Sequence, residues 1–448
     1  MVHHPSPAPV HAPPARPQPA AGDRQSLLNA RIFRRLMPLL VLSYVISFID
    51  RTNIALAKSH IEVDLGISAA AYGLGAGLFF LSYALLEVPS NLIMHRVGAR
   101  FWNTRIMVTW GLLSAGMAFI TGETSFYVMR VLLGAAEAGL FPGVMLYLTY
   151  WFGREERARA IGYFLLGVCI ANILSGPVGG ALLQMDGFLG WHGWQWMFVI
   201  EGLPAVALAW VVWKKLPDGP ASAPWLTAAE SREVLQRLQA EQDQQASAGQ
   251  VGHSLRDCLR DRQIWLAILV YFCHQISIYT VIFFLPGIIG TYGQLSPLQI
   301  GTLNSVPWIA AAIGAAWLPR FATHPQRCRR MLLAGLGTMA AGLLLAALAG
   351  KASPALGLLG FSLTALMFFV VQSVVFLFPA SRLAGAGLAG GIALVNTCGL
   401  VGGFIGPTVM GMIEQATGST RNGLFIMAGL LVVAALASTR LRQGQETR

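Results

Sequence analysis

The sequence predicts an all-α membrane protein with twelve transmembrane helices in two pseudo-symmetric six-helix bundles. Hydrophobic residues make up 55% of its 448 positions and charged residues only 11%, whereas a soluble domain carries about 25% charge. Apolar runs of about 20 residues recur along the chain, the length that crosses a ~30 Å hydrocarbon layer at 1.5 Å per residue. Basic residues cluster in alternate connections between those runs, as the positive-inside bias requires. Length alone would suggest two to four soluble domains, but there is too little polar surface for any of them to face water all round.

The expected spans, in order, are 36–57, 69–92, 103–122, 125–149, 159–184, 194–214, 263–289, 299–319, 331–350, 354–379, 385–413 and 422–439. With a cytoplasmic N-terminus, that side receives Arg31, Arg34, Arg35, Arg96, Arg100, Arg105, Arg154, Arg157 and Arg159. It also receives Lys214, Lys215, Arg256, Arg260, Arg262, Arg320, Arg327, Arg329, Arg330, Arg440 and Arg442. The other side keeps Lys58, Lys351 and Arg421. Both termini are therefore expected in the cytoplasm. The net charge of +11 is dispersed as a topology signal and forms no nucleic-acid stripe.

Residues 1–30 are Pro/Ala-rich with no signal-peptide core and are expected as a disordered cytoplasmic tail. His3, His4 and His11 sit there as solvated side chains rather than metal ligands. A first bundle over 31–216 leads to a cytoplasmic linker at 217–262, which holds a helical piece around Leu226–Leu238. A second bundle over 263–440 and a tail over 441–448 complete the chain. Gly176-Pro177 with Gly180 and Gly187 in the fifth run match Gly406-Pro407 with Gly411 and Gly418 in the eleventh, which suggests an internal repeat. These Gly-Pro pairs read as hinge and packing features. The five cysteines (Cys169, Cys258, Cys273, Cys328 and Cys398) have neither C-x-x-C spacing nor a zinc pattern.

A charge at mid-membrane costs about 2.5–3.5 kcal/mol on insertion scales, so each one needs a reason. Asp50 and Arg51 lie in the first run, Glu87 in the second, Arg130 and Glu137 in the fourth, and Glu201 in the sixth. In the second half only His274 lies inside a run. Anion binding and proton coupling, if present, thus belong mainly to the first half. A buried carboxylate can load and release a proton, and a buried arginine offers a planar fork matching a carboxylate. Arg130 and Glu137, seven positions apart, share a helix face. The competing reading makes Asp50–Arg51 and Arg130–Glu137 ion pairs that only pin helices together.

Glu87, before Pro89 and the Arg96–Arg100 loop, reads as a gate residue or an inter-helix salt bridge. Glu201 and His274 read as structural. Tyr44, Tyr83, Gln275, Tyr279, Gln372, Ser373 and Asn396 could orient a substrate or bond a neighbouring helix. Phosphate-loop, zinc-protease and nucleic-acid signatures do not appear, and neither a cofactor nor a metal is expected.

Several segments together resemble the anion:cation symporter branch of the major facilitator superfamily, whose members carry sugar acids, tartrate and other organic acids. They are Phe48-Ile49-Asp50-Arg51-Thr52-Asn53-Ile54, Glu87-Val88-Pro89-Ser90-Asn91, Arg130 through Gly139, Trp194 through Phe198 with Glu201-Gly202, and Gly402 through Pro407. The resemblance covers roughly residues 30–440. It implies Asp50 and Glu137 as proton-linked acids, with Arg51 and Arg130 engaging the substrate anion or those acids. It also implies Tyr83 and Asn396 in a central cavity ringed by helices one, four, seven and ten, with rocker-type alternating access. The sequence departs from the superfamily at His95, where Asp normally precedes Arg-x-Gly, and in the eighth–ninth loop, His324 to Arg330.

The expected function is proton-coupled import of a small carboxylate (a sugar acid, a tartrate-like diacid or an aromatic acid) across a bacterial inner membrane by a monomer. The same fold would also serve a drug:proton antiporter, although Tyr163 and Asn172 stand where that group's glycine motif has glycine. An enzyme would need a nucleophile–base or metal-ligand cluster in lipid, and a transporter-like sensor would need a signalling domain larger than the linker.

Overall fold

The structure, a computed structural model, describes residues 21–247, 255–322, 324–349, 352–383 and 385–442. It is helical throughout, with no strand among the described residues. The first bundle comprises α1 (Ala21–Leu65), α2 (Ala69–Val97), α3 (Ala99–Gly116), α4 (Glu123–Glu137) with α5 (Leu140–Thr149), α6 (Arg154–Leu183) and α7 (Gly193–Lys215). Then come α8 (Ala228–Ser247) and the short α9 (Leu255–Arg260). The second bundle comprises α10 (Arg262–Gly290), α11 (Pro297–Trp317), α12 (Pro325–Ala349), α13 (Pro354–Arg382), α14 (Gly385–Thr417) and α15 (Arg421–Ser438). Counting α4 and α5 as one span gives the twelve expected. Local signals fix several starts: Ser68, Asp261 and Ser296 each accept a backbone N–H at the first turn of α2, α10 and α11, which offsets unsatisfied donors there.

Ten spans are apolar enough to cross a membrane on length and composition alone. The other two, α3 and α11, are diluted by Arg100, Asn103 and Arg105 and by Gln299 and Asn304. The fourth run differs from its expected continuous form. It breaks at Ala138–Gly139, where Gly139 has φ +96°, a left-handed conformation that glycine adopts without strain. A Cβ at Gly139 would lie 2.0 Å from Ser90 Oγ, and that hydroxyl donates to the Ala138 carbonyl at 2.7 Å.

The first helix also starts earlier than expected. Residues 21–30 belong to α1, with Leu28 buried and Asn29 donating to Glu156 at 2.7 Å. His3, His4 and His11 lie outside the described residues, as do Lys351 and the side chain of Arg256. The linker docks on the first bundle. Trp225 stacks on Trp151 at 5.5 Å, Arg35 lies over Trp225 at 5.3 Å, and Arg31 pairs with Glu230.

The helix alternation gathers Arg34, Arg96, Arg157, Lys214, Arg262, Arg329 and Arg440 at one end of the molecule, the basic end. Named contacts between the bundles lie in the other half, where α2 packs on α14 and α6 on α11. Backbones approach closely there. A Cβ on Gly176 would sit 2.1 Å from the Gly301 carbonyl oxygen, and one on Gly73 2.3 Å from that of Pro407. Ser305 donates to the Ile173 carbonyl at 2.6 Å and Tyr72 to that of Phe283 at 3.0 Å. Lys58 bridges Glu62 at 2.9 Å and Glu414 at 3.0 Å. The Gly-Pro pairs therefore serve close helix packing, Gly176 against α11 and Pro407 against α2.

Candidate functional site

At mid-depth of the first bundle, Arg51 on α1 and Glu137 at the end of α4 form a buried ion pair at 2.5 Å. Ser47, one turn before Arg51 on the same face of α1, also donates to Glu137. A carboxylate at a helix C-terminus opposes the helix dipole, so the arginine and the hydroxyl offset an unfavourable position. Aromatic faces enclose the guanidinium: Phe48 at 4.7 Å, Phe79 at 5.2 Å and Tyr83 at 5.2 Å. Its Nε has no acceptor among the described residues.

The pairings considered from the sequence are not the ones formed. Arg130 does not pair with Glu137. Seven residues place them ~10 Å apart along the helix axis, too far for one ion pair. Arg130 instead donates to the Gly75 and Ala76 carbonyls at 3.2 and 3.4 Å, and its guanidinium lies 4.9 Å from the Phe79 ring. Phe79 thus touches both arginines.

Asp50 does not pair with Arg51, because neighbouring residues on a helix point about 100° apart. Its carboxylate faces α3, accepting from Trp110 Nε1 at 2.7 Å and Ser114 Oγ at 2.9 Å. Glu201 is buried close by, in electrostatic reach of Asp50 and beside Asn53, yet neither of its oxygens has a donor at hydrogen-bonding geometry among the described residues. The charges therefore form two groups beside different faces of α1: Arg51–Glu137 with Arg130 toward α2 and α4, and Asp50 with Glu201 toward α3 and α7.

Neutral polar side chains complete the centre. Tyr44 is stacked on Phe164 at 4.1 Å, and Tyr279 of α10 leans on Phe80 of α2 at 4.2 Å across the bundle interface. Gln372 donates to the Tyr271 hydroxyl at 3.2 Å, while the amide oxygens of Gln372 and Gln275 are buried without donors among the described residues. Asn396 is half-buried on α14. Ser373 turns back to the Val370 carbonyl of its own helix. His274 is held at the Phe368 carbonyl, 3.2 Å away, between the rings of Tyr271 and Phe368.

The expected gate residues are dispersed. Glu87 is half-buried and makes no ion pair among the described residues. Arg96 is exposed, and Arg100 donates to the Leu216 carbonyl at 2.7 Å. Asp218 accepts the Arg100 backbone N–H at 2.8 Å, so a linker carboxylate caps α3 in a loop whose own position 95 is histidine. Sequence reasoning missed Asp218, Ser47, Phe79, Tyr271, Trp110 and Ser114. Of these, only Ser47 carried a readable signal, its i, i+4 spacing from Arg51.

Two facing six-helix bundles with buried charges at mid-depth define a polytopic membrane carrier. The chain belongs to the Major Facilitator Superfamily, whose family model matches residues 40–407. It is 40% identical to a protein of Agrobacterium vitis designated a tartrate transporter, over 93% of this chain and 95% of the relative. It is also 40% identical to a quinolone resistance transporter of Acinetobacter baumannii, over 92% of this chain and 95% of the relative. Among solved structures it is similar to a D-xylose-proton symporter, with a TM-score of 0.73 and 14% identity, covering 93% of this chain and 99% of the other.

Proposed function

We propose that the protein imports a small organic carboxylate by proton symport across the bacterial inner membrane, acting as a monomer with its basic end and both termini in the cytoplasm. The observation that carries this reading is the Arg51–Glu137 pair, kept in the membrane interior beside an arginine, Arg130, with no carboxylate partner among the described residues. Protonation of Glu137 removes its charge, and the Arg51 fork turns to the substrate carboxylate together with Arg130. Tyr83, Tyr44, Gln275, Tyr279, Gln372 and Asn396 orient the rest of the molecule. Proton release restores the ion pair and expels the anion. Asp50 acts separately, coupling its protonation to the α1–α3 contact. Glu87, Arg96 and Arg100 belong to the basic-end gate. The glycine contacts near Gly176 and Gly73 close the opposite end while the basic end is open.

Tartrate and related acids loaded into a counterflow assay in proteoliposomes test this directly. Glu137→Gln is expected to exchange substrate while failing to accumulate it against an imposed pH gradient. Retained uphill accumulation would remove Glu137 from coupling. Arg130→Lys is expected to lose substrate binding, since a point charge does not replace the fork, and unchanged affinity by calorimetry would exclude that contact. A second reading, drug:proton antiport, is favoured by the quinolone-resistance relative. It requires proton-driven extrusion of a quinolone with no carboxylate uptake.

A further inference from the structure

At the basic end of the second bundle lies a pocket of about 530 Å³ lined by Arg262, Gln263, Leu266, Arg329, Arg382, Thr439, Arg440 and Arg442. Five guanidinium groups converge there from the ends of α10, α12, α13 and α15, and among the described residues the one carboxylate paired with them is Asp261, 2.8 Å from Arg382. The pocket has a fixed wall. Gln263 donates to the Arg440 carbonyl at 3.3 Å and accepts the Arg442 backbone N–H at 2.8 Å, clamping the chain after α15 against α10. None of these residues belongs to the Arg51–Glu137 centre of the first bundle.

The pattern along the helices identifies the occupant. Each of three arginines has an apolar residue one turn deeper: Leu266 after Arg262, Leu333 after Arg329, and Leu436 before Arg440. Leu333 and Leu436 are exposed, as is Val433 beside them. A soluble anion needs only the arginines. A molecule whose phosphate sits among arginines while its body continues along exposed leucines is an anionic lipid at the membrane surface. From this geometry we infer that the foot of the second bundle is a headgroup site for an anionic phospholipid, with the phosphodiester held by Arg262, Arg329 and Arg440 and the acyl chains along Leu333 and Leu436. The inference stands whether or not the transport reading above does.

Native mass spectrometry of the purified full chain tests it with phosphatidylglycerol and phosphatidylcholine of identical acyl chains, alongside thermal unfolding in inorganic phosphate. The wild type is expected to retain phosphatidylglycerol over phosphatidylcholine. Arg329→Gln with Arg440→Gln should retain it about tenfold less or weaker still, as losing two basic contacts at a bilayer surface implies. Arg329→Lys with Arg440→Lys, which keeps the charge, should recover most of the retention. Lys214→Gln with Lys215→Gln, at the foot of the other bundle, should bind as wild type does. Equal retention of the two lipids, undiminished retention in the glutamine variant, or equal loss in the Lys214/Lys215 variant would overturn the site. So would stabilisation by millimolar phosphate matching that of phosphatidylglycerol, which would make the pocket a site for a free anion.

Discussion

At the depth where the first bundle buries Asp50, Arg51, Arg130, Glu137 and Glu201, the second buries His274, Gln275, Tyr271, Tyr279 and Thr280. The two halves share a helix pattern and a Gly-Pro repeat, so the difference is one of chemistry on a common scaffold. Ionised groups in a low-dielectric interior stay only if they are paired or hydrogen-bonded, and the first bundle surrounds Glu137 and Asp50 with specific donors. The second bundle bears no such cost and offers buried amide and phenol groups, two of them with unfilled acceptors. One half buries ionisable groups, the other neutral hydrogen-bonding groups.

The strongest way to break that comparison is to unpair the charges. Arg51→Ala leaves Glu137 buried without its cation, and a loss of about 3–5 kcal/mol in unfolding free energy is expected, together with complete loss of transport. Adding Glu137→Gln to Arg51→Ala should recover most of that stability and none of the coupling. A denaturant titration of the three variants measures this, and an additive double variant would mean the pair is not a unit.

A smaller effect is expected at the second charge group. In Asp50→Asn, the amide oxygen still accepts from Trp110 or Ser114, so the fold should lose about 1 kcal/mol while pH-driven accumulation disappears. Accumulation at the wild-type level would assign Asp50 to packing α1 on α3. The smallest effect sharpens the role of the neutral half. Gln372→Leu should weaken substrate affinity about fivefold, the value of one hydrogen bond near 1 kcal/mol, with the pH dependence of uptake unmoved. A changed pH profile would show that the second bundle takes part in coupling.

How far the sequence reached differs between fold and site. Hydropathy and loop charge gave the spans because each is a local property of about 20 residues. The same average hid the fourth-run break, since one glycine among apolar neighbours barely alters hydropathy while its left-handed φ ends a helix. The buried charges were legible one at a time, because each is costly wherever its helix packs. Their partners were not. Adjacency in the chain linked Asp50 to Arg51, yet a helix turns neighbours to different faces, and α1 sends one toward α3 and the other toward α4.

By itself the sequence determined a twelve-span membrane chain with the acids and arginines inside its spans confined to the first half, because burial in lipid is decided segment by segment. Only the tertiary structure decided that Glu137 belongs to Arg51, that Arg130 rests on the carbonyls of α2, and that Asp50 stands apart beside α3. Those choices depend on which helix faces which, a relation between residues 54 to 86 positions apart that no local pattern encodes.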